Sequence, residues 1–448
     1  MSTAAPATPR PAAPPAARPG KPPGPRTPAI VQTLRWSRDP VGYLSALRRH
    51  YGDAFSVRFV GFGEWVYYAD AETIASIFQA DPDALHAGEA RDMLEPVVGS
   101  RSVLILDGEA HRRERRLLLP SFQGSHVRRY GDLMREVVEA EMAGWPLGRP
   151  FPLRPRMGDV TLEVILRAVF GVEAPARRAE LHRRITRLLE VAAPVLLVPA
   201  LTRDLGRWSP GGRLARARAA VDDLVYAQIR ARRAEPGEHQ DVLSLLLGAR
   251  DEDGEALDDR SVRDELMTLL LAGHETTATG LAWAFERLVR HPAALDRLVA
   301  ELDAGEDDGY LDAVIRETLR VRPVLFDTAR KVVEETEVGG WRLPAGTMVA
   351  PALALVHLDP AFHPDPQAFR PERYADGSPP ARTWVPFGGG PRSCLGAGFA
   401  LFEMRVVLRT VLGSLRLRPA RAADERPRLR NVTVVPARGA EVIAERRA

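Results

Sequence analysis

A chain of 448 residues, 45% apolar and 27% charged, with 62 basic against 59 acidic side chains and a formal charge of +3, can bury a large core; it is neither a disordered tail protein nor a small stapled scaffold. Its single cysteine, Cys394, excludes internal disulfides and any zinc site built on two or more thiolates, and points to a reducing, cytoplasmic setting. No run approaches the ~18–20 apolar residues of a membrane span, the start lacks the apolar stretch of a secretory signal, and the arginines are interspersed with acids rather than clustered for nucleic acid.

Residues 1–28 hold ten prolines, four basic residues and no acid, the composition of a solvated extended tail. The pattern therefore predicts a Pro-rich tail over residues 1–35 and one domain over 36–448. Helical periodicity runs through 41–51, 71–79, 110–119, 127–145, 159–170 and 176–190. Short strand-like runs cover 55–59, 64–68, 330–333, 347–353 and 432–435, so the fold class is mainly α with small β-sheets. Between them, the apolar run 191–201 (VAAPVLLVPAL) carries two prolines and reads either as a buried turn or as the rim of a substrate channel, free or dipping into a membrane surface.

A long helix is predicted over Asp259 to Arg290, capped by Asp258 and ended by His291-Pro292. Its middle, LLLAGHETTATG, interrupts an apolar stripe with Gly273, His274, Glu275 and two threonines. An interior glycine costs about 1 kcal/mol relative to alanine, and a threonine hydroxyl competes for backbone carbonyls, so this is either a water-satisfied kink or a groove beside an acid and an alcohol that relay protons. Glu317 and Arg320, three apart on a further helix, read by themselves as a weak solvated pair.

Near the C-terminus, FGGGPRSCLG (387–396) precedes an amphipathic helix over 395–412. A helix N-terminus favours a thiolate, Gly388 to Gly390 permit a tight bulge, and Gly396 and Gly398 clear side chains from the face next to the sulfur. The spacing of Phe387, Gly390, Arg392, Cys394 and Gly396 resembles the heme-binding loop of the cytochrome P-450 superfamily at every fixed position. Ala272, Gly273, Glu275 and Thr276 match its oxygen-activation motif, and Glu317, Arg320 and Arg373 its structural triad. The resemblance extends from about residue 36 to the end.

The resemblance implies a P-450 fold with the long central helix over a heme b, and Cys394 sulfur as the ligand of the iron. Phe387, Gly388 and Gly396 would pack around the sulfur, while His111, Arg115, Arg330 and Arg392 would meet the heme propionates. Thr276 would hydrogen-bond bound dioxygen, Glu275 would feed protons, and Ala272 and Gly273 would leave room beside them. The implied activity is insertion of one oxygen atom from O2 into a C–H or C=C bond of an apolar molecule, terpenoid, steroid, fatty acid or macrolide-like. Its pocket would draw on Ser102, Val103, the 191–201 run, Leu269, Ala272, Val324 to Phe326 and Val432. With no length left for a reductase domain, electrons would come from NAD(P)H through a separate acidic ferredoxin or flavodoxin and its reductase. A cationic rim of Arg112, Arg113, Arg116, Arg382 and Arg405 would steer that partner to a monomeric enzyme. A gas or redox sensor, or a peroxygenase or isomerase on the same scaffold, is the alternative.

Overall fold

The computed structural model describes residues 17–447 apart from 123, 197, 236–238, 306–307 and 376–379. The helices that position the site are α1 (Ala29–Arg38), α2 (Gly108–Leu118), α3 (Leu153–Val164), α4 (Pro175–Leu196), α5 (Pro210–Ala234), α6 (Asp259–Arg290), α7 (Gly309–Val321) and α8 (Ala397–Ser414). The strands used below are β1 (Arg18–Pro19), β2 (Ala54–Phe59), β3 (Gly63–Tyr68), β4 (Leu85–His86), β5 (Arg330–Val332), β6 (Trp341–Leu343), β7 (Met348–Pro351), β8 (Pro427–Arg430) and β9 (Thr433–Pro436).

Helix α6 begins and ends where its caps dictate. The Asp258 carboxylate accepts the Ser261 N–H at 2.7 Å, and Pro292 starts the next helix. At a rise of about 1.5 Å per residue it is about 48 Å long. Its N-terminal half (Val262, Leu266, Leu270) is buried in one core with Leu166, Ile185 and Val225, and its C-terminal half (Leu281, Phe285, Leu288) in another with Val160, Val314 and Leu408. Residues 271–276, between the two cores, are not buried, and Ala272 is exposed.

Away from the helices, one sheet runs in the order β2-β3-β7-β5-β4. Side chains alternate across it: Phe55, Val57 and Tyr67 face a core shared with Leu44 and Phe326, whereas Val66, Tyr68, Val332 and Val349 face Ile74 and Ile77.

Helix α7 is tied to the rest of the chain by Glu317. Its carboxylate accepts from Arg320 Nε (2.7 Å) and Nη2 (2.8 Å), Arg370 N (2.8 Å) and Arg373 Nε (3.3 Å). Glu317 and Arg320 are fully buried, so the pair that looked weak in sequence is a satisfied internal network. Arg320 also donates to the carbonyls of His357 and Pro366, and His357 Nε2 accepts the Val385 N–H at 2.9 Å, two residues before Phe387. Burial, followed by His363 and Arg320, depresses the His357 imidazole to about 3, which keeps that acceptor neutral.

Several boundaries differ from the sequence pattern. The packed chain begins well before residue 36: β1 pairs in parallel with β6, and Ser56 donates to the carbonyls of Pro22 and Pro23. Gln32, fully buried, donates to the Pro25 and Thr27 carbonyls and accepts the Arg58 N–H. Proline lacks a donor but keeps its acceptor, and these carbonyls are what the neighbouring segments bind. Residues 1–16 of the expected tail lie outside the described residues. The helix expected over 127–145 is broken at Tyr130, and that expected over 159–170 starts at Leu153 and ends in a π turn at Ile165–Val169. The 191–201 run is not one turn: α4 continues to Leu196, its backbone tolerating Pro194 near the C-terminal end, and a 3₁₀ turn follows at Pro199–Thr202. Among the described residues no helix is long and apolar enough to cross a membrane.

Candidate active site

The segment 387–396 is held in place by backbone contacts. Cys394 N donates to Phe387 O at 2.9 Å, and Ser393 N donates to Gly390 O at 3.0 Å. Gly390 needs its φ of 63°, and a Cβ there would collide with the Phe78 carbonyl oxygen; a Cβ on Gly389 would come within 2.7 Å of the Phe78 ring. These close approaches explain why glycine occupies both positions. Cys394 lies three residues before α8 begins and keeps accessible surface, although protein surrounds it closely. The surface is therefore that of an enclosed space. Burial pushes the Cys394 thiol up, while the Gly396 backbone N–H and Arg115 pull it down. The helix-end effect expected from sequence is present in the Gly396 contact, but burial outweighs it, so a thiolate here needs a strong cation such as a metal ion.

Beside the sulfur lies a surplus of cations. Arg115 Nη2 donates to Ser393 Oγ at 3.2 Å. Arg330, 4% exposed, has a side chain that among the described residues donates only to Ala329 O and Thr328 Oγ1. Arg392 donates to Val103 O and Leu106 O and pairs with Asp107. Arg91, from the turn Glu89–Leu94, donates to Ala87 O (3.0 Å) and Thr328 Oγ1 (2.7 Å). Burial and then Arg91 and Arg392 lower Arg330 to about 9, and Arg392 falls to about 10 through burial, with Asp107 opposing and Arg91 and Arg115 adding to the fall. His111, 2% exposed, has a buried Nδ1 without a partner among the described residues, and burial with Arg392 and Arg115 takes it to about 3. Asp107 is the carboxylate set against this group, and it also accepts the N–H groups of Ala87, Gly88 and Glu89. Buried positive charge in excess of its counter-charge is a site for an anion.

On α6 the Thr276 hydroxyl donates to Ala272 O at 2.6 Å, and Thr161 Oγ1 donates to His274 O at 3.0 Å, so two carbonyls of this stretch are engaged by side chains. His274 points away to Thr161 Oγ1 (3.0 Å), and burial with Arg154 lowers it to about 4. A Cβ on Gly273 would press on Ile165 Cδ1 at 3.3 Å. Glu275 is anchored: Arg154 Nη2 lies 2.8 Å away, Arg430 Nε 3.5 Å, and Asn431 Nδ2 3.4 Å.

These geometries find their counterpart among known proteins. The family model for cytochrome P450 matches residues 19–444. The chain belongs to the cytochrome P450 family. It is 45% identical over 429 residues to cytochrome P450 135B1 of Mycobacterium tuberculosis, covering 94% of this chain and 90% of that one, and 40% identical over 423 residues to cytochrome P450 135A1 of the same organism, covering 94% of each. The fold is that of the retinoic-acid-bound cyanobacterial CYP120A1 (TM-score 0.82, 24% identity, 96% of this chain and all of that one) and of the cytochrome P450DA heme domain (TM-score 0.84, 23% identity, 97% and 98%). As a P450 this chain is a heme-thiolate monooxygenase that uses heme b, O2 and reducing equivalents from NAD(P)H delivered through a partner, and acts on an apolar substrate.

The residues present fit that cofactor. A thiol that needs a metal to ionise, a buried cation surplus suited to two carboxylates, and an accessible mid-helix groove suit one flat dianionic metal chelate. Arg91, Arg154, Arg430 and Asn431 belong to this surrounding and are absent from the motifs; Arg91's only trace in sequence is one cation among Glu89, Asp92 and Glu95. Ser102 does not line a pocket: it is fully buried, and its hydroxyl takes the Thr268 hydroxyl (2.6 Å) and the Leu104 N–H (3.1 Å). The expected cationic rim is largely neutralised. Arg112 meets Glu109 and Asp83, Arg113 meets Asp251, Arg116 meets Glu109 and Glu252, Arg382 meets Glu72, and Arg405 meets Asp312.

Proposed function

We propose that Cys394 is the thiolate ligand of the heme iron and that Arg91, His111, Arg115, Arg330 and Arg392 hold the propionate edge. Bound there, the heme supplies the oxidant for oxygen insertion. Phe387, Gly388 and Gly396 flank the sulfur with backbone and one aromatic ring, leaving its accessible surface toward the enclosed space in which the heme would bind. Ala272 and Gly273 leave space on α6, and the Thr276 hydroxyl, already oriented by Ala272 O, keeps lone pairs free to accept a hydrogen bond. Glu275, one residue before it, is the carboxylate of the proton-feeding pair, and Arg154 fixes its position. Leu269, Ala272, Val324, Leu325 and Val432 form an aliphatic lining that orients a terpenoid, steroid, fatty-acid or macrolide-like substrate, whereas Phe326, 2% exposed, belongs to the core with Leu44.

A separate acidic ferredoxin or flavodoxin delivers electrons. A groove of about 510 Å³ along α8, lined by Phe122, Val127, Arg128, Gly398 and Phe402, supports this reading because Gly398 lies four residues past the sulfur.

The observation that carries the assignment is Cys394 in its glycine-bounded loop beside uncompensated buried cations. Adding carbon monoxide to the reduced holoprotein tests it: the thiolate-ligated complex should show its red-shifted Soret band, and Cys394→Ser should lose it. Product with NADPH, a surrogate ferredoxin system and O2, but little with hydrogen peroxide alone, supports the monooxygenase reading. The reverse pattern, or a band unchanged by the substitution, overturns it.

A further inference from the structure

The segment that supplies Val324 and Leu325 to the aliphatic lining leads straight into a carboxyl group, Asp327, two residues past Leu325 and three before Arg330. Phe326 is 2% exposed and packs in the core with Tyr67 and Leu44, but Leu325 and Asp327 on either side of it keep accessible surface. Protein nevertheless surrounds the Asp327 carboxyl closely, so that surface belongs to an enclosed space, as at Cys394.

The carboxyl is held in place. Ala354 N donates to Phe326 O at 3.0 Å and Thr328 N to Pro351 O at 3.3 Å, which ties the backbone on both sides of Asp327 to the end of β7. Tyr67 of β3, fully buried with its ring stacked on Phe55, donates its hydroxyl to Asp327 Oδ2 at 2.8 Å. Among the described residues this is the only hydrogen bond of the carboxyl, and no arginine, lysine or histidine pairs with it. The cations that follow it in the fold are turned to other groups: Arg91 donates to Thr328 Oγ1, and Arg330 to Ala329 O. Burial accordingly lifts Asp327 to about 7 against the Tyr67 hydrogen bond. An enclosed carboxyl with a fixed donor on one oxygen, its other oxygen open and no internal counter-charge, is matched by a ligand that brings both a cation and an N–H.

We propose that Asp327 anchors the substrate: its carboxylate binds a protonated amine on an otherwise apolar molecule, and Tyr67 holds the carboxylate in position. This rests on the heme pocket proposed above and narrows its substrate class. A free fatty acid is disfavoured, because its own carboxylate would face Asp327, whereas an apolar compound with a basic nitrogen at one end is retained.

Equilibrium dialysis of the holoprotein near pH 7.5 against three twelve-carbon probes tests it: N,N-dimethyldodecylamine, which is protonated and carries one N–H, dodecan-1-ol and dodecanoate. The wild type should bind the amine roughly 10- to 100-fold more tightly than the alcohol, and dodecanoate most weakly. Asp327→Asn should erase the preference for the amine and leave affinity for the alcohol within about threefold. The carbon monoxide band, recorded on each protein, reports the heme site separately, so a normal band without amine preference in the wild type overturns the anchor and leaves the heme reading standing. That comparison needs no variant and therefore decides the matter even if Asp327→Asn fails to fold. The anchor is also overturned if Asp327→Asn weakens amine and alcohol alike, or if the amine moves the Soret band to the red, which would place its nitrogen on the iron instead.

Discussion

Arg91, Arg330 and Arg392 come from places in the chain as far as 301 residues apart, yet Arg91 depresses both of the others. Removing one charge from such a group relieves repulsion but also removes a donor to the bound anion, and hydrogen bonds to charged groups are worth about 1.5–3 kcal/mol. Arg91→Gln is therefore expected to weaken hemin binding roughly 10- to 100-fold, read by the rate of heme transfer to an acceptor apoprotein. Hemin dimethyl ester, which has no propionate charge, should bind wild type and variant alike; equal loss with both would assign Arg91 to the fold alone. The same three residues show what sequence can reveal at this scale. Cys394, Arg392 and Arg330 sit in patterns that the sequence displays, and the structure brings Arg330 and Arg392 together. Arg91 has no pattern, because its contact with Thr328 and its closeness to Arg330 arise only when β4 pairs with β5. Ser102 was misjudged for a related reason: a small side chain signals space only if nothing fills it, and Thr268 does.

Among the elements, α6 was legible to the residue, since Asp258 caps it, Pro292 follows it and an apolar period runs between them. The uncapped helices were legible as helices but not in their limits: the one expected over 159–170 starts at Leu153, and the one expected over 127–145 is two. The break at Tyr130 and the π turn at Ile165–Val169 lie inside unbroken apolar periods, where tertiary packing decides the backbone. The α7 network carries a stability prediction. Arg320 is fully buried, and Glu317 is the carboxylate that neutralises it. Breaking a buried pair from one side costs about 3–5 kcal/mol. Glu317→Ala should lose that much in urea unfolding of the holoprotein, whereas Arg373→Ala, whose side chain is 10% exposed and bonds Glu317 at 3.3 Å, should lose clearly less. Equal losses would mean that Glu317 holds the 370–373 segment rather than the Arg320 charge.

At the scale of the whole molecule, buried titratable groups outside the cofactor loop set how stability follows pH. Burial lifts Glu403 to about 8, lifts Glu114 to about 7, and lifts Asp327 to about 7 against the opposing hydrogen bond from Tyr67. The folded state therefore keeps protons that the unfolded chain releases near pH 4 to 4.5, and stability falls as pH rises through that window to about 8. His274 and His357, depressed to about 4 and about 3, act in the opposite sense but only below 6.5, where the unfolded chain gains protons that the fold refuses. Between pH 6.5 and 8 the acids act alone, and Glu403 acts across the whole interval. It is 1% exposed, its Oε1 has no partner among the described residues, and no cation offsets its burial. One proton over 1.5 pH units corresponds to roughly 2 kcal/mol. Urea unfolding of the holoprotein at pH 6.5 and pH 8 should show that decline in the wild type and a shallower one in Glu403→Gln, which keeps the shape and cannot ionise. Parallel declines would place the charge change elsewhere in the core.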